Sequence, residues 1–365
     1  MTYILMKKMK RILLFVFLCF AMNGFAQIRK YSNEFLSIGV GARALGMSGA
    51  YVVSVDDVMA GYWNPAGLRG IKNKPQIALM HADYFAGIAK YDYAAYAKSM
   101  DSSGSMAISF VRFAVDNIPN TTELIDANGQ VDYNRISSFS AADYAFLFSY
   151  ARSLNVTGLK VGGSAKIIRR KVGNFAGAWG FGLDAAAQYE YKKWKFAAVA
   201  KDVTTTFNAW SYNLSDEMKD VFASTGNEIP ESSTEITLPK LILGGARKFD
   251  FLNEKVSVLS ELDLDMTFDG KRNVLIKSKP VSLDPHWGVE VGYLSTVFIR
   301  AGIGNIQTTT DISGKQITMF QPNMGVGVKI KSVTIDYAFT DIGDQSVALY
   351  SNVFSLKFDI NKKTK

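Results

Sequence analysis

From Gln76 onward, apolar and polar residues alternate with a period of two, the spacing that sends successive side chains to opposite faces of a β-strand. In residues 142–151, Tyr144, Phe146, Phe148 and Tyr150 share one face and Asp143, Ala145, Leu147 and Ser149 the other. Trp287, Val289, Val291 and Tyr293 stand opposite His286, Gly288, Glu290 and Gly292, and near the end Phe354, Leu356, Phe358 and Ile360 alternate with Ser355, Lys357 and Asp359. Further segments centre near Leu79, Ala94, Phe110, Gly163, Leu183, Val199, Leu243, Leu259, Ala301, Gly327 and Ile335. Together they predict about fourteen strands.

The second face of these strands is too charged for the interior of a soluble β-sandwich: Glu261, Asp263 and Asp265 share a face, as do Lys160 and Lys166. A membrane barrel resolves the conflict, because aromatic and aliphatic residues then face lipid while small and ionisable residues face the lumen. After residue 26 no apolar run reaches the roughly 18 residues of a spanning helix, so a closed sheet is the other way to satisfy every backbone group in lipid. The expected fold class is therefore all-β, a transmembrane antiparallel β-barrel of about 14 strands. Tyr91, Tyr93, Tyr189, Tyr191, Trp194 and Trp287 are expected in its interfacial girdles, and Glu261 and Asp263 are expected to meet lumen bases such as Arg300 or Lys357. His286 and Glu290 are read in the same way, as structural pairs.

The connections divide into short turns, such as Lys192-Lys193 and residues 330–332, and long loops at 115–137, 203–238, 266–285 and 305–320. Bacterial barrels place short turns on the periplasmic side and long loops outside. In the second loop Ser215 precedes an acidic, amphipathic stretch and predicts a capped short helix. Ile118, Leu124, Phe207, Trp210 and Tyr212 stand in polar loop surroundings and are candidate partner-binding anchors.

The first 26 residues follow another pattern. Lys7, Lys8, Lys10 and Arg11 precede an apolar run from Ile12 to Ala21, followed by Gly24-Phe25-Ala26. This reads as a secretory signal peptide, its core too short to span a bilayer of about 30 Å. Cys19 falls inside it, so the mature chain has no cysteine for disulfides, thiolate catalysis or Cys-based metal binding. Removing four basic residues also brings the formal charge from +8 to +4, too small a balance to argue for nucleic acid.

Residues 27–72 do not alternate and carry "EFLSIGVGARALGMSGA" and "SVDDVMAGYWNPAGL". Ser54 and Asp57 have capping-box spacing and predict a helical turn over residues 58–61. Asn64 is suited to an N-cap and Pro65 to the first helical position after it. Seven glycines between Gly39 and Gly70 suit tight turns and close backbone approach. Such a segment is too apolar for water, and its expected place is inside the barrel, as a hatch. The domain plan is a signal peptide at 1–26, a hatch at 27–72 and a barrel at 73–365.

On those residues the chain resembles a known family. Glu34-Phe35, Gly39 to Ala44, Gly46, Asp56-Asp57 and Asn64-Pro65-Ala66 resemble the N-terminal hatch of the long-chain fatty acid transporter superfamily of fourteen-stranded outer-membrane barrels. The longer pattern "FLSIGVGARALGMSGAYVVSVDD…YWNPAGL" is similar to the PorV/PorQ branch found in Bacteroidetes, as are "RFAVDNIPNTTELID" and "KDVTTTFNAWSYN". The resemblance implies a cell outer membrane protein associated with type IX secretion, with translocon, cargo or sortase partners, and hatch residues Gly41, Arg43, Gly46, Asp56, Asp57, Asn64, Pro65 and Ala66. Many such barrels finish on an aromatic residue, whereas here seven residues follow Phe358 and end in "KKTK".

Two non-enzymatic functions follow: an accessory of protein secretion that binds partners through its outer loops, which the resemblance favours, and a passive transporter of fatty acids or other hydrophobic compounds. For transport, Phe35, Leu36, Ile38, Leu45 and Met47 are candidates to line an apolar pocket. Enzyme signatures are missing: "GMSG" lacks the spacing of a nucleophile elbow, and Gly39, Gly41 and Gly46 follow no strand that would make a dinucleotide loop. No cofactor is expected, and the expected partners are outer-membrane lipid, secretion proteins and a hydrophobic ligand. The charged start, short apolar core and alternating strands predict cleavage after Ala26 and a heat-modifiable protein of the outer membrane. Intact-mass measurement and membrane fractionation check this; retention of residues 1–26 or a soluble product would contradict it.

Overall fold

The computed structural model describes residues 32–360 apart from 73, 123, 125–129, 311–312 and 341–349. The expected signal peptide with Cys19, residues 27–31 and the tail after Ile360 lie outside the described residues. The strands are β1 (Gln76–Tyr84), β2 (Ala89–Ser99), β3 (Gly104–Asn120), β4 (Ser137–Ser153), β5 (Leu159–Val172), β6 (Ala176–Tyr191), β7 (Trp194–Lys201) and β8 (Thr206–Tyr212). They continue as β9 (Ser233–Thr237), β10 (Lys240–Phe251), β11 (Val256–Thr267), β12 (Ser282–Tyr293), β13 (Val297–Thr310), β14 (Gln316–Ile330), β15 (Val333–Thr340) and β16 (Ser351–Asp359).

Fourteen of them form a closed antiparallel barrel. β1 to β7 follow in order, β10 adds to β7, and β16 closes the circuit on β1 from Gln76↔Asp359 to Asp83↔Asn352. Closure removes every sheet edge, as lipid requires. Each of the fourteen segments read from the alternation is one of these strands. No helix among the described residues is long and apolar enough to cross a membrane.

The remaining two strands extend the wall. β8 pairs with the start of β6 (Ala176↔Tyr212 to Phe181↔Phe207) and β9 pairs with β8, so this hairpin continues β7 and β10 beyond a break. Asp202 and Thr205 turn the chain in the left-handed region, at φ 56° and 60°. Opposite them Pro239, which has no N–H to give a ladder, precedes Lys240. Lys166, buried on β5, holds the break with ion pairs of 2.8 Å to Asp184 and 2.5 Å to Asp202.

The expected long loops are accordingly shorter. Ile118 is a β3 residue beyond a bulge, and Phe207, Trp210 and Tyr212 belong to β8 rather than to a loop. Strands also extend to Thr267 and Thr310 and restart at Ser282 and Gln316. Stretches such as "NIQTTT" carry one apolar residue, Ile306, beside a bulge, so they lose the apolar alternation while keeping the β-ladder beyond it. Ser215 does cap a helix, Asp216–Ser224, by accepting from the Met218 N–H at 3.3 Å.

Side chains divide between the faces by strand parity. Phe146, Phe148, Tyr150, Trp287, Val291 and Phe354 are exposed on the outer surface, where lipid would cover them. Tyr189, Tyr191, Trp194 and Trp287 are exposed as expected for girdles, but Tyr91 and Tyr93 point inward and are 0% and 2% exposed. Tyr91 donates to the Phe35 carbonyl at 2.9 Å, and Tyr93 packs edge-on against Tyr62. Both rings have a buried polar partner inside, which an interfacial position does not supply.

The Tyr93 hydroxyl meets Ser109 of β3 at 3.0 Å, and the partner of Tyr91 comes from residues 32–71. They form a 3₁₀ turn (Glu34–Leu36), two single-turn helices (Ala42–Leu45 and Ala60–Trp63) and a 3₁₀ helix (Pro65–Gly70). Asn64 accepts from the Ala66 N–H at 3.0 Å with Pro65 next in line. The Ser54–Asp57 capping box does not form: the helix has no side-chain cap bond, Asp57 accepts from the Met59 N–H at 2.9 Å, and the helix begins later, at Ala60. Ser54 fails as a cap because a wall carboxylate takes its backbone instead.

The wall approaches this segment through missing side chains. A Cβ added at inward-facing Gly162 would lie 2.6 Å from the Ala66 nitrogen, one at Gly325 3.3 Å from the Gly46 Cα, and one at Gly302 would collide with the Met47 backbone. Gly302→Val is therefore predicted to lower stability by about 1–3 kcal/mol through overpacking. Gly245→Ala, whose added carbon meets nothing nearer than 3.8 Å, is predicted to be neutral. The temperature at which the folded electrophoretic band is lost checks both; equal effects would contradict this account of the contact.

Candidate functional site

Residues 50–55 form neither helix nor strand, so their buried N–H groups must find side-chain acceptors. β11 supplies them: Asp263 Oδ2 accepts from Tyr51 and Val52 at 2.8 and 3.1 Å, and Glu261 from Val53 and Ser54 at 2.6 and 3.1 Å. Gln188 and Asn64 donate in return to the Val53 and Val52 carbonyls, each at 2.6 Å. This corrects the expected pairing of Glu261 and Asp263 with lumen bases. Arg300 instead joins Glu290 and Asp336, and Lys357 joins Asp57. Charge alternation along the strands showed that partners were needed, but backbone N–H groups leave no mark in a sequence.

The other residues singled out from the N-terminal segment reach different strands. Arg43 makes a two-pronged bond to Glu290, 2.8 Å on each prong, and the chain of charges continues through Arg300 to Asp336. Gly41 turns at φ 87°, which suits glycine. Gly46 lies against β14, and Pro65 and Ala66 lie against β5 at Gly162. Asp57 meets Lys357 at 2.5 Å, whereas neighbouring Asp56 borders a cavity. Of the anchors proposed in the loops, Leu124 alone stays in a loop; Trp210 is half-buried beneath the Arg170 guanidinium, 5.1 Å from its ring, and Phe207 is exposed on the outer face.

Two cavities lie on opposite sides of this segment. The larger, about 480 Å³, faces the rim that carries the longer loops and is bordered by Phe85, Arg272, Thr340 and Ser351. The smaller, about 220 Å³, faces the rim of short turns and is bordered by Lys329 and Thr334, with Arg43, Asp57, Glu290, Arg300 and Lys357 making it strongly charged.

The larger cavity has two zones. Leu36, Ile38, Leu45, Val52 and Trp63 give it an apolar floor, continued on the wall by Phe113 and Ile242. Polar groups gather elsewhere, most of them neutralised in pairs: Lys240 with Asp265 at 2.7 Å, Arg272 with Asp269 at 2.5 Å, and His286 with Asp284 at 3.6 Å. Lys201 differs. Its ammonium lies 4.7 Å from the Tyr62 ring centre and 5.6 Å from that of Trp63, with no carboxylate within ion-pair distance among the described residues. Of the expected pocket residues, Leu36, Ile38 and Leu45 do border this cavity, while Phe35 and Met47 are buried in contacts with the wall. Lys201 was missed because it ends an ordinary alternating strand, "WKFAAVAK", and the aromatic rings beneath it are far away in sequence.

No protein-family profile matches the sequence, and no curated protein does. Solved structures do match. A FadL homologue from Pseudomonas aeruginosa aligns over 88% of this chain and 98% of its own at 12% identity, with a TM-score of 0.53. The toluene transporter TodX of Pseudomonas putida aligns over 91% and 98% at 12% identity and 0.52. The monoaromatic hydrocarbon channel CymD aligns over 89% and 98% at 11% identity and 0.52. At such identities the likeness shows the fold, a closed fourteen-stranded barrel of the kind these transport proteins use, and the apolar outer face makes it a transmembrane barrel.

The contact between Asp57 and Lys357 carries a pH dependence. Burial pushes the Asp57 carboxyl upward, but the Lys357 ammonium and the Met59 N–H more than offset this and hold it below the usual carboxylate range. A depressed folded-state value means that the contact stabilises fully above the ordinary carboxylate range and is lost as pH falls through the depressed value. The melting temperature is predicted to stay level from about pH 8 to pH 5 and to drop below about pH 4, with Asp57→Asn lower at neutral pH and less sensitive to acid. A variant with an unchanged acid drop would show that other carboxylates carry it.

Proposed function

We propose that the protein is a non-enzymatic outer-membrane barrel that binds hydrophobic compounds in its lumen and lets them cross passively, with residues 32–71 acting as the hatch. The observation that carries this reading is the two-zoned cavity, with its apolar floor and the unpaired ammonium of Lys201 over two aromatic rings. A long-chain fatty acid is the ligand class with both halves of that chemistry. Its chain would replace water on Leu36, Ile38, Leu45 and Trp63, and its carboxylate would meet Lys201. The transport functions named for TodX and CymD support the reading by analogy of fold.

The resemblance to PorV/PorQ sets a second reading beside it, an accessory of type IX secretion that binds partners at the cell surface. The helix Asp216–Ser224 favours it: an exposed amphipathic turn at the end of the wall extension, with Val221 and Phe222 half-buried on one side. On either reading the hatch closes the pore.

Lipid extraction from the purified protein followed by mass spectrometry tests the first reading, which predicts one long-chain acid per barrel and a loss of about tenfold in affinity for Lys201→Met. Planar-bilayer conductance should be low in the wild type and high when residues 32–70 are deleted, because fourteen strands enclose a lumen too wide for wall side chains to fill. No retained ligand, with an intact closed pore, would move the assignment to the secretion reading.

A further inference from the structure

The outer face of the barrel is not uniformly apolar. On β12 the outward positions run from Leu283 through Trp287 to Tyr293 without a charge, and on β14 from Phe320 to Val328. β1 and β2 differ. Outward from the short-turn rim, β1 presents Ile77 and Leu79 and then His81 and Asp83, while β2 presents Tyr96 and Ala94 between Lys98 and Asp92. The six residue-to-residue steps from Lys98 to Asp92 cover only about 15 Å of height at the usual rise and tilt, against an apolar band of about 25 Å.

An ion network fills this notch. His81 pairs across the ladder with Asp92, and Asp92 with Arg112 on β3. Asp92 is satisfied on both sides, at 2.7 Å from His81 and 2.9 Å from Arg112. The other two carboxylates are not. Asp83 stands opposite Lys90 in the ladder but lies within ion-pair distance of His81 alone among the described residues, at 3.6 Å, and Asp116 reaches Lys90 at 3.8 Å and Arg112 at 4.0 Å, all beyond hydrogen-bond length. Three carboxylates thus face two permanent cations, Lys90 and Arg112, on a surface turned toward the membrane.

Acyl chains offer no donor to such carboxylates, and lipid phosphates would be repelled by the excess negative charge. We infer that the outer wall of β1–β3 is an interface with a second membrane-embedded protein, one that presents arginine or lysine side chains to Asp83 and Asp116. That partner completes the ion network and covers the notch in the apolar band. The surface lies outside the barrel and is independent of the cavity and its ligand.

The test is photo-crosslinking in the native membrane. A p-benzoylphenylalanine in place of Ala94, which faces outward between Tyr96 and Asp92, is expected to link to another polypeptide through a peptide containing arginine or lysine. The same probe at Val326, on the full-height face of β14, should link to lipid. Asp83→Lys with Asp116→Lys should cut the protein adduct about tenfold by placing like charges in contact, with the heat-modifiable folded band retained. Should that pair fail to fold, Asp83→Asn with Asp116→Asn is the milder variant and should still reduce the adduct. Lipid alone at position 94, an adduct between two copies of this chain, or an adduct indifferent to these substitutions would overturn the inference.

Discussion

Two carboxylates of one strand determine how the lumen is filled. Glu261 and Asp263, spaced by two on β11, point inward together and capture the four successive N–H groups of residues 51–54. Those groups have no ladder of their own, and leaving each unpaired in the interior would cost about 1–3 kcal/mol. The partnership is therefore mutual: the segment keeps its backbone satisfied only inside this barrel, and the barrel can bury these two acids only with this segment present.

The remaining contacts depend on that placement. With residues 51–54 fixed against β11, Arg43 reaches Glu290 on β12, Asp57 reaches Lys357 on β16, and Met47 and Ala66 approach the wall where Gly302 and Gly162 leave room. The same placement sets Tyr62 and Trp63 under Lys201 and separates a charged cavity on one side from the two-zoned cavity on the other. An ammonium over aromatic faces is attracted by the ring quadrupoles yet keeps its capacity to meet an anion. The proposed ligand binding and the proposed closure of the pore thus rest on one arrangement of the N-terminal segment.

The strands were legible because period two is a local signal: Phe146, Phe148 and Tyr150 announce their face within a few residues. Asn64 and Pro65 were legible for the same reason, since capping chemistry spans three residues. What joins segment to wall was not. Tyr51 meets Asp263 across 212 positions and Arg43 meets Glu290 across 247, and alternation cannot say which of several inward charges meets which. Tyr91 and Tyr93 looked like girdle residues because aromatic content alone does not tell an interface from a polar interior. Phe207, Trp210 and Tyr212 looked like loop anchors because the wall breaks at Asp202 and Pro239, and turn-forming residues normally mark the end of a strand.

Amide hydrogen exchange of the purified barrel tests the central claim most directly. If Glu261 and Asp263 hold the backbone of residues 51–54 inside the lumen, the peptide covering them exchanges as slowly as the wall strands, although it belongs to no helix or sheet. Glu261→Gln with Asp263→Asn should then speed that peptide by at least about a hundredfold while the strands stay protected. Exchange of residues 51–54 at the rate of an exposed turn in the unaltered protein would contradict the account.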